Sequence, residues 1–130
     1  MKPAAARPLA TSFGRYLGVG LVATAAHWAL LALLVEAAQV PAWLGSGAGA
    51  VLGAQLAFFG NRHYTFGHRG EWAPAWWRFM GTALLGALLG MAIVGAGVAL
   101  GLYYLLAQAL ATGAGVLLTF AINRGWTFSR

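Results

Sequence analysis

From Phe79 to Asn123 the chain carries no charged residue. A helix crosses roughly 30 Å of hydrocarbon with about 20 residues. This run is therefore too long for one crossing and must turn back once, most naturally at Gly101–Tyr104, where a glycine meets two tyrosines suited to a membrane interface. A second uncharged run extends from Tyr16 to Val35, interrupted only by Thr24 and His27, until Glu36, Gln39 and Pro41 break it. A third spans Trp43 to Gly60, with Gln55 its most polar member. The long polar stretch is Asn61–Trp77, which holds Arg62, His63, His68, Arg69, Glu71 and Pro74. The pattern predicts an all-α integral membrane protein with four helices near 16–36, 43–61, 79–100 and 103–123.

Composition agrees and excludes whole classes. Only 8% of the 130 residues are charged while 61% are apolar, against about a quarter charged in a typical soluble domain. A soluble enzyme with a conventional core is excluded. The absence of cysteine removes disulfide scaffolds, thiol chemistry and Cys-ligated metal sites. Lys2 and Arg7 give a basic start, but the apolar run from Tyr16 exceeds the roughly 7–15 residues of a signal-peptide core and has no small-x-small cleavage site behind it. It is expected to be retained as the first span.

Lys2, Arg7 and Arg15 precede helix 1, Arg62, Arg69 and Arg78 lie between helices 2 and 3, and Arg124 and Arg130 follow helix 4. All eight basic residues thus fall on one side. The positive-inside rule makes that side cytoplasmic, with both termini there, in a multi-pass protein of the cytoplasmic membrane.

The chain also repeats itself. Phe58-Phe-Gly-Asn61-Arg62-His-Tyr64-Thr65-Phe66 returns 62 residues later as Phe120-Ala-Ile-Asn123-Arg124-Gly-Trp126-Thr127-Phe128. Upstream, Arg15-Tyr16-Leu17-Gly18 aligns with Arg78-Phe79-Met80-Gly81. The expected organisation is one domain of two same-topology helical hairpins, a parallel internal repeat. Repeat 1 covers about 13–66, a cytoplasmic loop 67–77, and repeat 2 about 78–128, related by a pseudo-twofold along the membrane normal. Gly45, Gly49, Gly53 and Ala57 form a stripe at i+4 spacing, matched by Ala107, Ala111, Gly115 and Thr119. Small residues let backbones approach closely, so helices 2 and 4 are expected to be the packed interior pair.

The Asn-Arg-x-[Tyr/Trp]-Thr-Phe ending on both even-numbered helices, in a four-span chain of this size, resembles the GtrA-like family from Phe13 to Phe128. That resemblance implies movement of polyprenyl-phosphate-linked sugars across the cytoplasmic membrane for cell-surface polysaccharide glycosylation. A similar module is the membrane domain of some polyprenol-phosphate glycosyltransferases, so a membrane glycosyltransferase is an implied partner. The family's motif falls on Asn61, Arg62, Thr65 and Phe66, and on Asn123, Arg124, Thr127 and Phe128. His63 and Gly125 occupy its variable position.

Read on their own, these residues leave two meanings open. Arginine at a helix end is a common snorkelling anchor, a nearby Trp or Tyr belongs to the aromatic belt, and Asn tolerates the left-handed conformation that ends helices. Alternatively Arg62 and Arg124 present guanidinium forks to a lipid phosphate, with the Asn amides and Thr hydroxyls as further donors. Arg15 and Arg78 either ring the same phosphate or fix topology. Within the spans, His27, Gln55, Gln108 and Thr119, with Thr82 and Thr112, are the polar groups available to a headgroup groove. Each could equally bond a neighbouring helix.

No acidic residue lies well inside a span, so proton or sodium coupling has no evident carrier. There is no phosphate-binding Gly-x4-Gly-Lys-[Ser/Thr] loop, paired carboxylate, nucleophile triad or metal-ligand spacing. The chain is expected to be no enzyme and to need no cofactor. Three functions remain: passive translocation of the lipid-linked sugar, anchoring or recruitment of a glycosyltransferase, and, last, small multidrug export. The last lacks an intramembrane Glu in helix 1 and a balanced charge distribution. Nucleic-acid binding fails because the basic residues mark a membrane side rather than a groove-sized patch. The pseudo-twofold invites a homo-oligomer.

Overall fold

A computed structural model describes residues 9–65 and 71–122, and every regular element among them is helical. Helix α1 is Leu9–Glu36, α2 is Ala42–Gly60 followed directly by a π-helical turn at Asn61–Thr65, α3 is Trp72–Ala99 and α4 is Tyr104–Ile122. All four α-helices are long and apolar enough to cross a membrane. The chain is a multi-pass membrane protein.

α1 and α3 have 28 residues each, α2 and α4 19 each. At 1.5 Å per residue the shorter pair spans about 28 Å and the longer about 42 Å. The longer helices therefore outrun the hydrocarbon, and both begin about seven residues earlier than hydropathy suggests. For α3 the reason is local. Pro74 is its third residue, where the helix has no internal acceptor for the missing N–H, so the ring is tolerated. The polar boundary at Arg78 marks the membrane edge rather than the helix end.

The connections are tight. α3 closes with Gly101 at φ 94°, the Leu102 N–H donating to the Gly97 carbonyl at 2.9 Å and the Gly101 N–H to Val98 at 3.0 Å. This is the Schellman arrangement, and Leu102 completes it by packing on the core cluster of Val94, Ala107 and Ala111. The expected turn at Gly101–Tyr104 is found there. Between α1 and α2, Gln39 takes the left-handed conformation at φ 56°, and the Pro41 carbonyl accepts from Leu44 and Gly45 at 3.0 Å each.

Packing is sequential: α1 on α2, α2 on α3, α3 on α4. Val19 faces Gly60, Ala23 faces Gly53, His27 faces Gly49 and Leu31 faces Gly45, so α1 and α2 run antiparallel. Gly47 facing Met91 and Gly95 facing Trp43 give the same sense to α2 and α3, as Gly97 facing Ala107 and Gly90 facing Ala111 do to α3 and α4. Both hairpins therefore point the same way.

α2 and α4 touch through Ser46 and Gln108 but are not the packed interior pair that was expected. Gly45, Gly49 and Gly53 of the α2 stripe seat α1, and Ala107 and Ala111 of the α4 stripe seat α3, while a methyl group on Gly115 would meet nothing within 4 Å and Thr119 is exposed. A short connection places antiparallel neighbours side by side, and that proximity takes up the smooth faces first. Outward-facing Leu21, Val22, Leu33, Leu84, Leu110, Val116 and Leu117 give the bundle an apolar perimeter.

Candidate functional site

At the end of the bundle that carries Arg15, Arg62 and Arg78, aromatic rings brace α2 against α3. Phe58 meets Phe79 with ring centroids 5.5 Å apart, and Phe59 meets Trp72 at 5.8 Å. The Trp76 indole N–H donates to Gln55 Oε1 at 2.9 Å, while Gln55 Nε2 lies 3.0 Å from Met80 Sδ. These contacts fix where the chain leaves α2.

The backbone does not stop at Asn61. Its φ of −69° and ψ of −40° are right-handed helical, and the π-turn carries the helix on through Thr65. The plain explanation of Asn61 as a left-handed helix terminator is therefore set aside. π-Turns are rare and concentrate at functional positions because the wider turn re-aims the side chains it carries.

Here the re-aimed residues meet a groove of about 580 Å³. Tyr16 of α1 and Phe58 of α2 form part of its wall, Ala75 and Phe79 of α3 another, and Asn61, Arg62 and Arg78 supply its polar groups. Arg62 is half-buried and Arg78 exposed, with Arg78 Nε donating to the Pro74 carbonyl at 3.4 Å. Among the described residues, no acidic one lines the groove. Two guanidiniums and an amide beside largely apolar walls suit an anion that is attached to an apolar chain, since low local dielectric strengthens charge-assisted hydrogen bonds.

The transmembrane-domain family described as GtrA/DPMS matches residues 15–128. This chain belongs to that family. The match runs from the Arg15-Tyr16 motif to the Thr127-Phe128 motif, so it takes in both hairpins of this GtrA/DPMS domain. No match was found among curated proteins or solved structures.

Within the GtrA/DPMS domain, the residues singled out by sequence fall into three groups. Asn61 and Arg62 line the groove together with Arg78, and Thr65 is the last residue of their π-turn. Phe66, Asn123, Arg124, Thr127 and Phe128 lie outside the described residues. Arg15 does not share the groove. It heads a separate one, of about 530 Å³, on another side of α1.

The polar residues inside the spans stand away from the groove. Gln55 braces α2 on α3 as described. Gln108 is buried, accepting from the Ser46 hydroxyl at 2.6 Å and donating to Thr112 Oγ1 at 3.1 Å. His27 lies over Gly49 at the seam between α1 and α2. Thr82 bonds the Arg78 carbonyl of its own helix at 3.5 Å, and Thr119 is exposed on α4.

Three residues engaged in the structure escaped the sequence reading as participants. Tyr16 and Phe79 belong to the Arg-aromatic-x-Gly motif and could have been found as its second members. Ser46 stands 62 residues before Gln108, the same interval that separates the two Asn-Arg motifs.

Proposed function

We propose that this GtrA/DPMS domain moves polyprenyl-phosphate-linked sugars between the leaflets of the cytoplasmic membrane. In this reading the basic end is cytoplasmic. The lipid phosphate is held by Arg62, Arg78 and the Asn61 amide, with Asn123, Arg124 and Thr127 supplying the corresponding groups of the second motif. The single observation that carries the reading is the groove itself, in which cationic and amide donors border largely apolar walls. Free passage of the headgroup is blocked by desolvation, idealised at about 20 kcal/mol for one ion before relaxation. Charge-assisted hydrogen bonds in the groove replace part of that hydration while the prenyl tail stays in lipid. No acidic residue lies well inside a span to couple movement to protons, Glu36 standing at the very end of α1, so transfer runs down the substrate's own gradient and in either direction.

A second reading is favoured by Gln55 and Gln108, whose amides are engaged in holding helices together rather than lining a path. In it the domain anchors a membrane glycosyltransferase and presents the lipid substrate to it from the same groove.

Reconstitution separates the two. Purified protein is placed alone in vesicles with labelled polyprenyl-phosphate sugar, and leaflet exchange is followed. Protein-dependent exchange that disappears in the Arg62→Ala, Arg124→Ala double variant supports translocation. No exchange, beside stimulation of a co-reconstituted transferase, supports the anchor. A double variant that inserts normally and retains both activities would refute the phosphate-clamp assignment.

A further inference from the structure

The groove headed by Arg15 has a composition unlike that of its neighbour. α1 contributes Gly18, Val19 and Val22 to it, and α2 contributes Leu56, Phe59 and Gly60. Among the described residues, Arg15 is its only charged or hydrogen-bonding side chain, and no carboxylate lines it. Gly18 leaves the floor open, because a methyl group placed on it would meet nothing within 4 Å. From Arg15 to Val22 the slot runs about 10 Å along α1, from the basic end toward the hydrocarbon. Val22 is 63% exposed at its deeper end.

We infer that this groove is a binding site for an anionic phospholipid of the surrounding leaflet, Arg15 pairing with the phosphodiester and the α1–α2 slot holding the upper part of one acyl chain. The chemistry selects this occupant. A sugar headgroup needs several hydrogen-bonding partners, and the described lining offers one guanidinium. A zwitterionic lipid brings its own ammonium to its phosphate and gains less from a second cation. A lipid with a net negative headgroup leaves its phosphodiester for Arg15, and the apolar walls then need nothing more than hydrocarbon. The site is separate from the groove of Arg62 and Arg78 and does not depend on the function proposed for it.

The natural absence of cysteine makes the test direct. A bimane fluorophore is attached at Val22→Cys in the full chain, the protein is placed in lipid nanodiscs, and quenching by doxyl-labelled phosphatidylglycerol is compared with quenching by doxyl-labelled phosphatidylcholine. One basic residue near a lipid phosphate corresponds to about a fivefold preference for the anionic lipid. That preference is expected at position 22, to fall to parity in Arg15→Gln and to persist in Arg15→Lys. It is expected to be absent for a label at Leu117→Cys, on the exposed face of α4. Equal quenching by the two lipids at position 22 would overturn the inference. So would a preference that survives Arg15→Gln, shielding of the label from both lipids by a second copy of the protein, or relief of quenching by equimolar polyprenyl phosphate.

Discussion

Gly47 and Gly49 stand two residues apart on α2 and would respond differently to the same added methyl group. At Gly47 it would meet the Met91 side chain, nearest at Sδ, 2.7 Å away, and an unbranched thioether can swing aside. At Gly49 it would reach both the His27 ring and the His27 backbone carbonyl at 2.5 Å, and a helix backbone cannot yield locally. Gly49→Ala is expected to force α1 away from α2 and to cost about 2–3 kcal/mol, whereas Gly47→Ala should cost less than about 1 kcal/mol. Denaturation in mixed micelles measures the difference, and equal losses would refute the close-approach argument. The sequence made the stripe visible but not its partner. Glycine spacing tells which face is smooth, and every helix here offers apolar surface to meet it.

At the scale of elements, the two tight connections solve the same problem with different residues. Gly101 occupies φ 94° without a Cβ to strain, while Gln39 sits at φ 56° with one. Gly101→Ala should therefore destabilise by about 1–2 kcal/mol, and Gln39→Gly should stabilise by about 0.5–1 kcal/mol. Thermal midpoints of the two variants in detergent should move in opposite directions. The positions of both turns were legible, because a polar or glycine break in an otherwise uncharged run has few alternatives in a bilayer. The starts of α1 and α3 were less so. Hydropathy reports where lipid ends, whereas Trp72, Pro74 and Trp76 continue a helix into the interface, where water and headgroups satisfy its first N–H groups. The π-turn at Asn61–Thr65 was not legible at all, since nothing in Asn-Arg-His-Tyr-Thr distinguishes a widened turn from an ordinary one.

For the whole molecule, the contacts between the first hairpin and α4 include two polar ones. Ser46 bonds Gln108 in the interior, and the Tyr104 hydroxyl donates to Glu36 Oε1 at 2.9 Å at the end away from the arginines. Polar links inside membrane bundles couple by about 0.6 kcal/mol on average and at most about 1.7. A double-mutant cycle on Ser46→Ala and Gln108→Leu should return a coupling in that range. Ser46→Ala alone should cost more than the double variant, because it leaves the Gln108 carbonyl oxygen buried without its donor. A coupling of zero would mean the link contributes nothing to holding α4. The up-down-up-down order and the gathering of arginines at one end were readable from charge and run length. The groove was only half readable: Asn61 and Arg62 announced themselves by repetition, whereas the sequence left Arg78 between ringing the same phosphate and fixing topology, and the packing of α3 on α2 brings it into the groove.

The two connections opposite the arginines are so short that one face of this protein offers a visitor almost nothing to recognise: a left-handed glutamine, a proline, a glycine corner, one carboxylate and a pair of phenols. Any enzyme approaching from that quarter must bring its own means of docking. Among the described residues, the groove of Asn61, Arg62 and Arg78 lies at the opposite end, so what there is to read by charge and shape is gathered on one side.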